Sequence, residues 1–229
     1  MNRRRMMMGQ SGGSSPTTYV PLQYVECTGS QYIVTPIYAN QNTTIKIAFC
    51  LNGFGGTRGT GVNPILGRAT DSSYMPPYGV WMNPCDASDP NEWGDAMFTP
   101  HVSFGRASDL GYWAWYESPS TDWANWYEWE VSKDKNNLYY NGSLFKSAGF
   151  TSGTVGTFTH SQPLWIGAAY GYPYGNSTSY YTGLIGEITI NSYHFVPALY
   201  NNVAGFYETT NDVFYSSATA TPFVAGPAI

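Results

Sequence analysis

The chain is poor in charge: Asp, Glu, Lys and Arg together make up 11% of its 229 residues. Ten basic residues stand against fifteen acidic ones, a formal net of −5, and three of the ten are Arg3, Arg4 and Arg5. Without that basic tip the remainder carries seven positive against fifteen negative charges, a net of −8. Such a body lacks the basic footprint that general nucleic-acid binding needs to neutralise phosphates. Cysteine is scarce and odd in number: Cys27, Cys50 and Cys85 show no metal-ligand spacing and read as free, mostly buried thiols. Long apolar runs are missing too. No stretch approaches the roughly 18 apolar residues of a membrane span. After the basic cluster only Met6, Met7 and Met8 are apolar, well short of the ~7–15 residues of a secretory core. The expectation is a protein made in a cytoplasm that stays soluble there or joins an assembly.

What the chain has instead is aromatic: 17% of residues, with 20 Tyr and 8 Trp. Tyr and Trp combine an apolar body with a polar tip, so this excess serves cores, interfaces and sugar-facing surfaces alike. The most legible stretch is Asn125–Phe145. There Tyr127, Trp129 and Val131 alternate with Trp126, Glu128 and Glu130, the period-two pattern of a strand with one buried face. The polar run Ser132–Asn137 reverses the chain, Leu138 and Tyr140 share a face on the return, and Asn141-Gly142 turns it again. Antiparallel strands without helices to cover them need a second sheet. A β-sandwich follows.

Elsewhere the pattern continues. Residues 19–37 predict a short strand, a Thr28-Gly29 turn and a strand Gln31–Ile37; Ile45, Ile47, Phe49 and Leu51 then alternate with Thr44, Lys46, Ala48 and Cys50. The Gly-rich run at 52–63 lacks the Gly-Lys-Ser/Thr ending of a phosphate loop and reads as a mobile loop before a short buried strand ending in Arg68. Further strands are predicted at Tyr78–Met82 and Thr99–Ala107. Near the end, Leu184, Gly186, Ile188 and Ile190 face one way, and Glu187 and Thr189 the other. A short hairpin closes the chain. Residues 1–18, with three Arg, three Met and a Gly/Ser-rich stretch, form a flexible N-terminal arm ahead of one domain, 19–229. Arg3, Arg4, Arg5, Met6, Met7 and Met8 are either a disordered leader or adaptable contacts that order against a larger partner.

Two segments carry candidate chemistry. In the Pro-rich loop of residues 71–98, Asp86, Asp89, Asn91, Glu92 and Asp95 offer oxygen ligands for calcium, but their spacing matches no calcium loop and an ordinary solvated turn explains them. No cofactor is otherwise expected. Between residues 112 and 126 stand Tyr112, Trp113, Trp115, Tyr116, Trp123 and Trp126, flanked by Asp109, Glu117 and Asp122. Aromatic rings stack on the C–H faces of sugars and carboxylates accept hydroxyl hydrogen bonds, which makes this a candidate glycan face. Packing against the core or a neighbouring subunit would use the same rings. A glycan hydrolase needs two carboxylates across the scissile bond. Glu128 and Glu130 share a strand face roughly 6–7 Å apart by strand rise. Their setting, EWEVSKD, lacks the Glu-x-Asp-x-(x)-Glu order of glucanases of the sandwich class. His101, His160 and His194 accompany no Ser or Cys nucleophile motif.

Both ends of the domain resemble one family. PLQYVECTGSQYIVTPI is similar to the opening of concanavalin A-like (laminin G-like) jelly-roll domains common in gut bacteriophages, prophages and their hosts. PLWIGA, GLIGEITI, FVPALYNNVAGFYETTNDVFY and TPFVAGP resemble that family's closing order. The similarity spans residues 19–229 with weak agreement between 53 and 120; Cys27 stands where Ser is usual, and Phe206 and Glu208 where Leu and Asp are. The resemblance implies an all-β, antiparallel jelly-roll sandwich whose motif residues are structural, with the Thr28-Gly29 turn and a Gly205-Phe206-Tyr207 corner setting hairpins. It further implies a noncatalytic bacteriophage virion structural or surface protein, on a head, fibre or tail, with glycan binding for host attachment as a candidate role. The arm would hold other virion proteins. A homo-oligomer assembled in the host bacterial cytoplasm is expected, with neither nucleic acid nor membrane insertion. A free carbohydrate-binding lectin or adhesin of a gut bacterium is the alternative, and a glycan hydrolase a third.

Overall fold

The computed structural model describes residues 18–50, 63–68, 78–83, 99–104, 114–115, 125–132, 135–147, 159, 162–170 and 178–229. The strands begin with β1 Val20–Pro21, β2 Val25–Thr28, β3 Ile33–Val34, β4 Ile45–Cys50, β5 Asn63–Arg68 and β6 Tyr78–Asn83. Next come β7 Thr99–Phe104, β8 Ala114–Trp115, β9 Trp126–Ser132, β10 Lys135–Tyr140, β11 Ser143–Ser147 and β12 Leu164–Ile166. The last are β13 Ala168–Tyr170, β14 Thr178–Tyr180, β15 Thr182–Ile190, β16 Tyr193–Tyr200, β17 Val203–Glu208, β18 Val213–Tyr215 and β19 Val224–Ala225. All are strands, and they pair antiparallel.

One large sheet runs β11-β10-β9-β4-β15-β16-β17-β18, joined by β1, β2 and β19; a second runs β3-β12-β5-β6-β7-β8, and β13-β14 form a small third. The core lies between the inner faces of the first two. Phe49, Tyr127, Trp129, Ile188, Phe195 and Phe206 enter from the large sheet and Ile33, Ile65, Leu164 and Ile166 from the second, all almost fully buried. Trp129 alone removes a side chain worth about 3–5 kcal/mol against truncation to Ala. Alternation in β9 is as the sequence predicts: Tyr127, Trp129 and Val131 are buried, and the residues between them half-buried.

Turn chemistry also follows from residue type. Asn141 and Gly142 have φ of 47° and 78°, the left-handed pair that a tight hairpin requires. Gly29 follows Thr28 at φ 94°, and the turn is fastened by the buried side chain of Gln31, whose Oε1 accepts from the Thr28 N–H at 2.8 Å. Gln31 Nε2 donates to the Pro222 carbonyl at 3.0 Å, tying this turn to the end of the chain. The last residues then run back along the first. Gln23 N donates to Pro227 O at 2.8 Å and Ile229 N to Pro21 O at 3.1 Å, while β19 pairs with β2.

Several expectations are corrected. The strand at Gln31–Ile37 shortens to Ile33–Val34, because Thr35 turns both its N–H and its hydroxyl to the Leu164 carbonyl instead of holding a regular ladder. The reversal after β9 is tighter than the polar run suggested, since Lys135 already pairs with Ser132. Of the strand expected at Thr99–Ala107, the described residues hold Thr99–Phe104 as β7. Gly205, Phe206 and Tyr207 form no corner: they lie inside β17, paired with β16, and the turn before them is made by Asn201 and Asn202 at φ 49° and 64°. The arm residues Arg3–Met8, the calcium candidates and residues 52–62 of the Gly-rich run lie outside the described residues, while Asn63 opens β5.

Candidate functional site

The outer face of the large sheet is shaped by one irregularity. On β4, Phe49 faces Ile185 and Ile47 faces Ile188, so the one residue between them on β4, Ala48, is matched by two on β15, Gly186 and Glu187. The extra residue is a bulge, which re-aims side chains locally. It keeps Ile185 and Ile188 both in the core and turns Gly186 and Glu187 outward. This corrects one expectation: neither Leu184 nor Gly186 shares a face with Ile188 and Ile190; Leu184 stands opposite Cys50 and Gly186 lines the cleft, both on the outer side. Cys50 is outward by register as expected, yet buried, since Trp126 and Leu184 flank it.

The bulge leaves a cleft of about 410 Å³. Its floor is Ala48 and Gly186, the two smallest side chains on this face, and its wall is the half-buried Trp126 indole. The Tyr24 ring neighbours the indole at a tilt, with ring centroids 5.9 Å apart. The rim is polar: Gln23, Lys46, Glu128, Glu187 and Thr189.

Charges on this face are organised in pairs. Lys46 Nζ lies 2.9 Å from Glu128 Oε1 and 3.8 Å from Glu130 Oε1. Glu130 is also bonded by Lys135, and Tyr139 donates its hydroxyl to Glu130 Oε2 at 3.2 Å. The Lys135 hydrogen bond, reinforced by these neighbours, outweighs partial desolvation and holds the Glu130 carboxyl below the ordinary range. The hydrogen bond to Glu128 raises Lys46 above its ordinary value, so it remains ammonium. A glutamate held ionised by a lysine, as Glu130 is, accepts hydrogen bonds and does not donate a proton.

Next to the rim, His194 Nε2 lies 3.3 Å from Glu187 Oε2 and Nδ1 lies 3.4 Å from Thr209 Oγ1. The order hydroxyl, imidazole, carboxylate is that of a nucleophilic triad. Both separations exceed the ~2.6–3.2 Å of a working one. Thr209 Oγ1 also faces the His194 carbonyl at 3.4 Å, so the contact is one of several that fasten the β17–β18 turn to β16.

Of the aromatic residues named from sequence, Trp126 forms the cleft wall. Trp115 belongs to β8, at the edge of the other sheet and paired with His101, so the fold separates the two. Tyr112, Trp113, Tyr116, Trp123, Asp109, Glu117 and Asp122 lie outside the described residues, as do His160 and Cys85. Among the described residues no group of three or more His, Cys, Asp or Glu side chains is placed to hold a metal ion. Gln23, Lys46, Ala48, Gly186, Glu187 and Thr189 were not singled out as site residues. The alternation of β4 did place Lys46 and Ala48 outward, but nothing local says which outward residues meet across strands.

No family model and no curated protein sequence matches the chain. Among solved structures, a presumptive carbohydrate-binding protein from Bacteroides ovatus superposes with a TM-score of 0.52 at 15% identity, over 91% of this chain and 61% of that one. Domains LG4-5 of the mouse laminin alpha1 chain superpose with a TM-score of 0.44 at 10% identity, over 82% of this chain and 47% of that one. The chain thus spans less than two thirds of either. The likeness to the Bacteroides protein is one of fold: the all-β concanavalin A-like sandwich that the motifs at both ends of the sequence resemble.

Proposed function

We propose that this chain is a noncatalytic carbohydrate-binding sandwich whose ligand lies across the Trp126 cleft. The observation that carries the reading is the pairing of a Trp126 wall with a floor of Ala48 and Gly186 and a rim of Gln23, Lys46, Glu128, Glu187 and Thr189. A pyranose ring stacks its C–H face on an indole, and its hydroxyls seek the convergent donors and acceptors of such a rim. A cleft of about 410 Å³ is of a size to take one or two sugar rings. The Bacteroides neighbour, described as carbohydrate-binding, supports the same assignment.

The carboxylates support the noncatalytic part of the reading. Hydrolysis requires one of two acids to be held protonated, whereas Glu130 is pushed the other way and Glu128 is bonded to Lys46. The reading extends to display on a bacteriophage particle as a virion structural or surface protein, the arm of residues 1–18 docking on other virion proteins. The domain's first ring, Tyr19, is stacked on Tyr207 at 4.0 Å, which gives an arm a fixed root. A free lectin or adhesin uses the same cleft without the arm, and the description of the Bacteroides neighbour favours that second reading.

A glycan array with the whole chain and with Trp126→Ala tests the binding; loss of one aromatic contact is expected to weaken it about tenfold or more. Unchanged binding would sink the cleft assignment. Solution mass of the whole chain beside one beginning at Thr18 separates display from a free lectin. An oligomer that falls to monomer without the arm supports assembly through it, and two monomers support the lectin.

A further inference from the structure

We propose that the Trp126 cleft selects uncharged, hydroxyl-rich glycans and turns away polyanionic ones, such as sulfated or uronate-bearing chains; this rests on the reading of the cleft as a sugar site. The sign and engagement of every described charge on that face set this preference. β9 contributes Glu128 and Glu130, β15 contributes Glu187, and β2 contributes Glu26, which shares a cross-strand row with Leu184, Cys50 and Trp126. Against these four carboxylates stand the ammonium groups of Lys46 on β4 and Lys135 on β10. Both are engaged: Lys46 lies 2.9 Å from Glu128, and Lys135 is bonded to Glu130. His194 on β16 turns its Nε2 to Glu187 at 3.3 Å.

A sulfate or carboxylate entering the cleft would therefore meet Lys46 only by drawing it from Glu128, leaving that carboxylate beside a new anion. Like charges so placed repel, and the field of Glu26 and Glu187 adds to the repulsion. Selectivity of this kind comes as much from what repels the wrong ligand as from what holds the right one. Hydroxyl groups face no such conflict. Each donates one hydrogen bond and accepts others, so one sugar edge donates to Glu128 or Glu187 and accepts from the Lys46 ammonium or the Gln23 amide. Bonds with one ionised partner are the stronger kind, so the Lys46–Glu128 pair serves as a ready-made reader of adjacent hydroxyls.

The test titrates the whole chain, at low ionic strength, with neutral oligosaccharides (gluco-, xylo- and manno-configured) and with heparin and polygalacturonate. Trp126→Ala, Glu128→Gln and Glu187→Gln are titrated alongside. The Gln variants keep side-chain size on an exposed rim, and melting temperatures check that they fold. The expected result is Trp126-dependent binding of a neutral glycan by the parent chain and no binding of either polyanion. Glu128→Gln is expected to weaken the neutral ligand roughly tenfold. The combined Glu128→Gln, Glu187→Gln chain is expected to admit a polyanion for the first time, with binding that salt weakens.

Trp126-dependent binding of heparin or polygalacturonate by the parent chain would overturn the charge inference and leave the sugar site standing. Neutral binding that neither Gln variant alters, with polyanions still excluded from both, would overturn the role given to the carboxylates. Absence of binding to both glycan classes, or binding indifferent to Trp126→Ala, would overturn the sugar-site reading itself.

Discussion

Gly186 and Trp126 are in contact across the sheet: a Cβ placed on Gly186 would lie 3.2 Å from the indole Cζ3 and 3.2 Å from the Ala48 Cβ. The absence of that carbon lets the indole lie this close to the β15 backbone. Contacts this short force the neighbour to yield by a few tenths of an ångström, and the indole at the cleft wall has more freedom to do so than the Ala48 backbone.

Gly186→Ala is therefore expected to tilt Trp126 out of its stacking position while leaving the core untouched. Glycan affinity should fall about five- to tenfold, with a stability loss of about 1 kcal/mol or less. Titration paired with tryptophan emission checks this. An unchanged affinity would mean that the indole does not form the ligand platform.

At the β17–β18 turn, Glu208 is 1% exposed. Its carboxylate accepts from Thr210 N at 2.7 Å, Asn211 N at 3.0 Å, Asn211 Nδ2 at 2.8 Å and His194 N at 3.4 Å. Burial pushes its pKa up, but the hydrogen bonds from Thr210 and Asn211 more than offset this and leave it below the ordinary value of 4.5. A carboxyl whose folded pKa is depressed stabilises the fold fully above its unfolded pKa, and the contribution is lost as pH falls through the lowered folded value. Melting temperature should thus hold at neutral pH and decline below about pH 4.5. Glu208→Gln presents an amide to backbone N–H donors and should cost about 1–3 kcal/mol at pH 7. It should also flatten the acid decline; an equally steep decline in the variant would assign it to other carboxyls.

A backbone position next to the cleft tests the fold itself. Gly183 has φ of 141°, and a Cβ there would meet the Cys50 carbonyl oxygen at 2.6 Å and the Tyr181 hydroxyl at 2.7 Å. That hydroxyl donates to the same Cys50 carbonyl at 3.0 Å. Gly183→Ala combines an unfavourable φ with overpacking and the loss of a buried hydrogen bond, so about 2–5 kcal/mol of destabilisation is expected in urea unfolding. A loss below about 0.5 kcal/mol would show that the β4–β15 ladder relaxes locally.

How much of this was legible in the sequence depends on the range of the interaction. Period-two alternation is a property of one strand, and it put Tyr127, Trp129, Val131, Ile45, Ile47 and Phe49 inside, where they are. Asn141-Gly142 announced its turn because few residue pairs tolerate two positive φ values in a row. The bulge was not legible. It is a mismatch between β4 and β15, more than a hundred residues apart, and Leu184-Ile185-Gly186 reads as plain strand from either side. The same limit hid the cleft, whose rim comes from four segments: the β1–β2 link with Gln23, and β4, β9 and β15, which only their register brings together. Trp126 and Trp115 entered one candidate cluster because aromatic density is local, although β8 carries Trp115 to the other sheet.

Cys27 and Cys50 supply the last prediction. Cys27 pairs with Gly183 and Cys50 with Leu184, so the two cysteines flank β15 from opposite sides and, being matched to successive residues, point to opposite faces. Two strand spacings put their Cα atoms roughly 9–10 Å apart, beyond the ~7 Å that a disulfide spans. Each is 1% exposed, and burial, with Glu26 adding to it, pushes the Cys27 thiol far above its ordinary range. A thiol held protonated and out of solvent is a poor nucleophile. In a Cys85→Ser chain, which reports these two residues alone, a disulfide reagent should label less than one thiol per native chain over minutes and two at once in denaturant. Because access requires opening the β2–β15–β4 ladder, the native labelling rate should rise in parallel when Gly183→Ala is added. Rapid native labelling in the Cys85→Ser chain would mean that this ladder opens far more often than its burial allows.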